Sequence, residues 1–277
     1  MIIIEIIKAI LIGIVEGITE WLPVSSTGHM ILVDELVKLD VTPEFRELFL
    51  VVIQLGAICA VPVLFWNKLN PFSKKKSAEE KKSTWSLWLK VIVGVLPAAV
   101  IGFLFDDFFD EHFYNYTVVA IALIVYGIAF ILIEKLWRGR VTRVERVEDL
   151  TYRDALFMGA FQVLSLIPGT SRSGSTIIGG LIGGVSRVAA AEFSFFMAIP
   201  VMIGASLLKI LKFVLAGFTA GGTELMLLAV GLIVSFLVSL FAIKFLMDFV
   251  KRHSFTPFGV YRIVLGALVL GYFLIIA

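Results

Sequence analysis

Glu16 and Glu20 stand four residues apart, a spacing that puts both carboxylates on one face of a helix. The run around them is strongly apolar, where an ionisable side chain is costly and marks a working site. Two carboxylates that close can hold a divalent cation through hard oxygen ligands. Equally, they can split their pKa values and carry out acid–base chemistry. Just downstream lie Ser25, Ser26, Thr27 and His29. A hydroxyl with a histidine three residues on, in a turn broken by Gly28, fits a nucleophile and its proton-transfer partner. Ser-x-x-His is a weak pattern alone and gains its force from the glutamates beside it.

A third set lies far along the chain, in Gly169-Thr170-Ser171-Arg172-Ser173-Gly174-Ser175-Thr176. An arginine inside an apolar run needs an anion or a carboxylate partner, and its planar fork suits phosphate. Thr170, Ser171, Ser173, Ser175 and Thr176 surround it with hydroxyls, while Gly169 and Gly174 let backbone N–H groups come close. A helix starting near Ser173 would aim its positive end at the same place. The run lacks the Gly-x-x-x-x-Gly-Lys of a Walker loop. The plainer alternative is an Arg172 that only pairs with Glu16 or Glu20. Carboxylates, a hydroxyl, an imidazole and an arginine brought to one place suit hydrolysis of a phosphoanhydride, which needs charge neutralisation and positioning above all.

These residues must be held inside a membrane. Of 277 residues, 59% are hydrophobic and 17% charged, and mean hydropathy is +0.99. Soluble domains are about 45–50% apolar and about 25% charged, so the excess must face lipid. A net charge of +2, with the basic residues in two loops, argues against a nucleic-acid partner. Cys59 is the only cysteine, which excludes a disulfide framework, and its apolar run predicts a buried thiol. Met1 to Leu11 has neither a basic start nor a small-residue cleavage site and reads as mature protein. His112 and His253 read as solvated loop residues.

Apolar runs fall near 2–33, 47–66, 86–105, 116–137, 155–185, 192–215, 225–247 and 258–277, too long for barrel strands and therefore helical. The first and fifth are broken by Pro, Gly, Ser and Thr, the best sequence pointer to a membrane binding site. Pro23-Val24-Ser25-Ser26 and Pro168-Gly169-Thr170-Ser171 lie 145 positions apart, as do Glu47 and Glu192, and Tyr116 and Tyr261. The whole of 1–277 is thus one membrane domain made of two copies of one unit, 1–135 and 146–277. Lysines and arginines concentrate in loops 67–90 and 135–153, which belong in the cytoplasm. Loop 106–115, with Asp106, Asp107, Asp110 and Glu111, and loop 216–224 fit the outside. Corresponding loops then face opposite ways, so the repeats are inverted. The predicted fold is an all-α polytopic membrane protein of two inverted-topology repeats, with six transmembrane helices and two re-entrant helical hairpins. Both termini lie outside and the hairpin tips meet near the middle. Trp66, Trp85, Trp88 and Trp137 sit at run ends as an aromatic belt would. The basic stretch 73–82 can touch anionic membrane lipids. Arg187 and Glu192 can pair with each other or meet solvent.

Two stretches, E-G-I-T-E-W-L-P-V-S-S-T-G-H at 16–29 and P-G-T-S-R-S-G-S-T at 168–176, make the chain resemble the undecaprenyl-diphosphate phosphatases, the BacA-type bacitracin-resistance proteins. The length and the eight-run layout agree with this, so the resemblance covers essentially the whole chain. It implies an enzyme that removes the terminal phosphate of undecaprenyl diphosphate, a polyprenyl lipid, and so supplies the carrier lipid of cell-wall synthesis. It implies catalytic roles for Glu16, Glu20, Ser26, His29 and Arg172, with Ser26 or His29 as nucleophile. A divalent cation, magnesium or calcium, is implied too, and the Glu16/Glu20 pair either holds it as metal ligands or accepts a proton. So are a homodimer, a bacterial cytoplasmic membrane location and a site facing its outer side. The rival from another class is a lipid-phosphate transporter built on the same anion cradle, which would need no Ser26–His29–Glu20 set.

Overall fold

Backbone that crosses lipid has no water to bond to, so each apolar run must close its hydrogen bonds within itself as a helix. The computed structural model describes residues 2–137 and 139–276 and has this character throughout. The helices are α1 (Ile2–Thr19), α2 (Ser26–Leu36), α3 (Pro43–Leu64), the single turn α4 (Trp66–Leu69), α5 (Ala78–Phe113) and α6 (Tyr116–Trp137). After a linker come α7 (Tyr152–Gln162), α8 (Arg172–Ile182), α9 (Arg187–Leu215), α10 (Gly222–Val250) and α11 (Thr256–Ile276). Among the described residues there is no strand, only one bridge between Val144 and Val185. Six helices are long and apolar enough to cross a membrane: α3, α5 as far as Phe105, α6, α9, α10 and α11. This is an all-helical integral membrane protein.

The two broken runs become helix pairs, α1 with α2 and α7 with α8. α1 lies on α10 and α7 on α5, while α3 runs between α9 and α10 and α6 pairs with α11. The α7–α5 contact is backbone against backbone. A Cβ at Gly159 would stand 2.0 Å from the Gly94 carbonyl oxygen, so only glycine allows it. Trp21, Phe130, Phe193, Phe195, Phe196 and Phe255 fill the centre.

Several expectations change. The segment 78–90 is not loop but the start of α5, because Ser77 and Glu80 form a capping box. The Ser77 hydroxyl accepts from the Glu80 N–H (3.2 Å) and the Glu80 carboxylate accepts from the Ser77 N–H (2.6 Å). At its other end α5 passes a non-helical residue, Phe105, and continues to Phe113, so most of 106–115 is helical too. His112 thus closes a helix, its ring bonded to the Phe108 carbonyl, rather than sitting in a loop. Cys59 is exposed on the outer face of α3 rather than buried, because its helix position points away from α9 and α10. Arg187 and Glu192 do not pair with each other. Arg187 clasps Glu134, and Lys68 reaches Glu192 (2.6 Å), because both partners come from other helices at the same end of the bundle. Arg138, counted with the basic linker, lies outside the described residues, as do the side chains of Asp106, Asp107 and Asp110.

Candidate active site

α1 ends at Thr19, whose hydroxyl bonds back to the Val15 carbonyl (2.8 Å), and Pro23 prevents the helix from resuming. The chain turns and restarts as α2 behind Ser25. The second pair does the same behind Ser171. Ser25 and Ser171 are the two described non-glycine residues with positive φ, 73° and 74°. Each hydroxyl accepts from the N–H three residues on, Gly28 (3.3 Å) or Gly174 (3.1 Å). Backbone strain of this kind persists only where its surroundings enforce it, and it gathers at functional sites. Here it aims two helix N-termini, at Ser26 and Arg172, into one place. Both positive ends favour an anion there.

Glu20 sits between them. One carboxylate oxygen accepts from the Ser26 hydroxyl (2.8 Å) and the other from Arg172 Nη2 (2.9 Å). The side chains of Arg172 and Glu20 are 11% and 8% exposed, so this pair is almost out of solvent. Arg172 Nη1 donates to the Ser194 carbonyl (2.8 Å), and the Ser194 and Thr176 hydroxyls meet at 2.7 Å, with Thr176 accepting because its own proton goes to the first turn of α8. The Ser173 hydroxyl reaches the Glu20 carbonyl (3.4 Å). Beneath them Trp21 stands edge-on to Phe195, closing the floor with apolar surface.

The other expected residues fall around this chain. Glu16 is one turn before Glu20, buried, with Oε1 lacking any hydrogen-bond partner. His29 is one turn into α2, but its ring turns away from Ser26. Nδ1 meets the Ser25 carbonyl (2.7 Å), which makes it the donor, and Nε2 accepts from the Tyr261 hydroxyl (2.7 Å). Ser25, Ser171, Ser175 and Thr176 spend their hydroxyls on caps and on the first turn of α8. Thr27 is half-buried in the first turn of α2.

The donor set fits a hard divalent cation. Glu16 and Glu20 supply carboxylate oxygens, one of them orphaned, and Ser26 a hydroxyl. Among the described residues no group of three or more His, Cys, Asp or Glu comes together. A cation here would complete its shell with phosphate oxygens and water, the habit of magnesium.

Three residues of the site escaped sequence reasoning. Ser194 anchors Arg172. Tyr261, noted only as a repeat landmark, holds His29. Arg262 is fully buried and donates to the carbonyls of Pro23 (3.3 Å), Gly169 (2.9 Å) and Thr170 (2.8 Å). One guanidinium on α11 therefore ties the two broken loops together. Gly169 can offer its carbonyl because its φ is 92° and a Cβ there would meet the Val119 carbonyl oxygen at 2.5 Å. An arginine in the apolar run 258–277 is itself the signal that could have found this residue.

Over residues 9–268 the chain matches the family described as "Bacitracin resistance protein BacA". It is 60% identical over 267 residues to a protein of Enterococcus faecalis named undecaprenyl-diphosphatase, covering 96% of this chain and 97% of that one. A protein of Acetivibrio thermocellus with the same name is 59% identical over 270 residues, 98% of each chain. One from Clostridioides difficile, named undecaprenyl-diphosphatase 1, is 58% identical over 272 residues, 98% of this chain and 97% of that one.

Proposed function

The chain belongs to the bacitracin resistance protein BacA family, and on that footing we propose that it hydrolyses undecaprenyl diphosphate to undecaprenyl phosphate and inorganic phosphate. The observation that carries the mechanism is the hydrogen bond from Ser26 to Glu20, with Arg172 on the same carboxylate. Glu20 accepts the Ser26 proton as the serine oxygen attacks the terminal phosphorus. The phosphoanhydride bond breaks and undecaprenyl phosphate leaves, with phosphoserine at Ser26. Water then attacks that phosphorus. The serine oxygen departs with the proton Glu20 had held, and the proton lost by water goes to the released phosphate. Arg172 and the N-termini of α2 and α8 offset the charge on the phosphates. Glu16 and Glu20 would hold a divalent cation, magnesium or calcium, which when bound supplies Lewis-acid neutralisation of phosphate oxygens. His29, fixed by Tyr261 and the Ser25 carbonyl, shapes the wall beside Ser26.

The same reading extends to topology. The halves 1–135 and 146–277 form inverted repeats, with α1–α2 and α7–α8 as re-entrant hairpins. Support comes from the matching caps at Ser25 and Ser171, although these lie 146 positions apart, one more than the offset of the other landmarks. Lys68, Arg143 and Arg187 are gathered at one end of the bundle, which the positive-inside rule assigns to the cytoplasm. The site then opens to the outer side of the cytoplasmic membrane, in a homodimer.

The test is phosphate release from undecaprenyl diphosphate by purified protein, with and without a chelator. Arg172→Ala should abolish release. Arg172→Lys, which keeps the charge beside Glu20 but not the fork, should lower it steeply while the protein stays folded. No release from folded wild-type protein would overturn the reading in favour of lipid-phosphate transport.

A further inference from the structure

A lipid diphosphate can place its head on buried Arg172 only if its hydrocarbon tail has a way back to the bilayer. Among the described residues a crevice joins the two. It lies between α5 and α9, has a volume of about 500 Å³, and has Arg172 and Gln162 in its lining. Small residues open it: Ala98 and Gly102 on α5, Gly204 and Ala205 on α9. Its mouth, near Phe103 (83% exposed) and Leu208 (44%), opens between two helices long and apolar enough to span a membrane, with Lys212 at its edge. Gln162, the last residue of α7, is 1% exposed, yet neither its amide nitrogen nor its amide oxygen has a hydrogen-bond partner. A buried amide left unpaired is destabilising, and such an arrangement is retained where a ligand completes it.

We propose that the α5–α9 crevice is the channel for the prenyl tail of the substrate, and that the Gln162 amide N–H binds the phosphate attached to that tail. The proposal rests on the phosphatase reading above. Its continuity with Arg172 selects this occupant over an ordinary phospholipid chain: the head that Arg172 would grip carries the tail that fills the slot. The division of labour follows. Arg172 and Ser26 act at the terminal phosphate, Gln162 at the inner one, and the crevice senses chain length.

Gly204→Leu tests the channel. Gly204 lines the crevice and a Cβ there meets no atom within 4 Å, so a leucine adds bulk at its wall without a clash and suits a helix better than glycine. In purified full-length protein the preference for undecaprenyl over dimethylallyl diphosphate, as the ratio of kcat/KM values, should fall about tenfold or more. An unchanged preference overturns the channel. Gln162→Leu removes the unpaired amide at similar volume. Its melting temperature should hold or rise while kcat/KM falls for both substrates; a lower melting temperature, or unaltered kinetics, overturns the role of Gln162. A prenyl monophosphate with a photoreactive tail separates the two readings without hydrolysis. It should label 95–103 and 201–208. Such labelling in a wild-type protein that releases no phosphate would leave the channel standing and the phosphatase reading fallen. Labelling elsewhere, or labelling abolished by excess phosphatidylethanolamine, overturns the channel.

Discussion

Ser26 has its hydroxyl on Glu20 before any substrate arrives. A nucleophile already bonded to its base needs no rearrangement to lose its proton. Ser26→Ala should therefore cut phosphate release about a thousandfold or more while leaving the Kd for undecaprenyl diphosphate, read by tail-probe fluorescence, close to wild type. Full activity in that variant would remove Ser26 from the nucleophile's role. Glu16, Glu20, Ser26 and Arg172 were legible in the sequence because their types are out of place in lipid, so their presence demanded a reason. The partner of the Ser26 hydroxyl was not legible, since Glu20 lies six positions from it and His29 only three, so spacing favoured the histidine. Only the turn of the His29 ring toward Tyr261 separates them. Ser194 was beyond reach for another reason: a lone serine in an apolar helix has many ordinary uses, and its bond to Arg172 spans 22 positions.

At the scale of elements, α7 depends on two unlike contacts. One is the backbone approach of Gly159 to Gly94. Gly159→Leu should push α7 off α5 and cost about 1–3 kcal/mol or more, seen as a lower melting temperature and poor recovery from detergent. The other is at the start of the helix, outside the six spans. Burial alone would push the Asp154 carboxyl up, but the Arg143 guanidinium and the Thr151 hydroxyl and N–H outweigh it and hold it below the usual aspartate range. A depressed folded pKa means stabilisation that is present above the unfolded value and lost as pH falls through the folded one. The gap in melting temperature between wild type and Asp154→Asn should thus be open at neutral pH and close well below about pH 3.9. A gap that widens on acidification would contradict this. The helical character and the six long apolar helices were readable from the apolar runs. Helix ends were less so, because α5 extends at both ends through charged residues that composition assigns to loops. The Ser77–Glu80 capping box was the local signal that this reading missed.

For the whole molecule, the membrane class followed from composition alone, and the meeting of two distant broken runs followed from their shared Pro, Gly and Ser. What composition could not give was the element that fastens them. Arg262 bonds three carbonyls from loops that lie more than ninety positions upstream of it. Because it grips backbone, the loops' side chains are left free to serve the site. This has a consequence for biogenesis. A ribosome that has finished α10 has already delivered Glu16, Glu20, Ser26, His29 and Arg172 to the bilayer, yet the two loops still lack their fastener. A chain stopped before Thr256 should insert and remain silent in a phosphate assay, and co-expression of α11 as a separate segment should wake it. α11 thus acts as a check on assembly, and a nascent chain that still lacks it has no working hydrolase to turn loose on the carrier lipids around it.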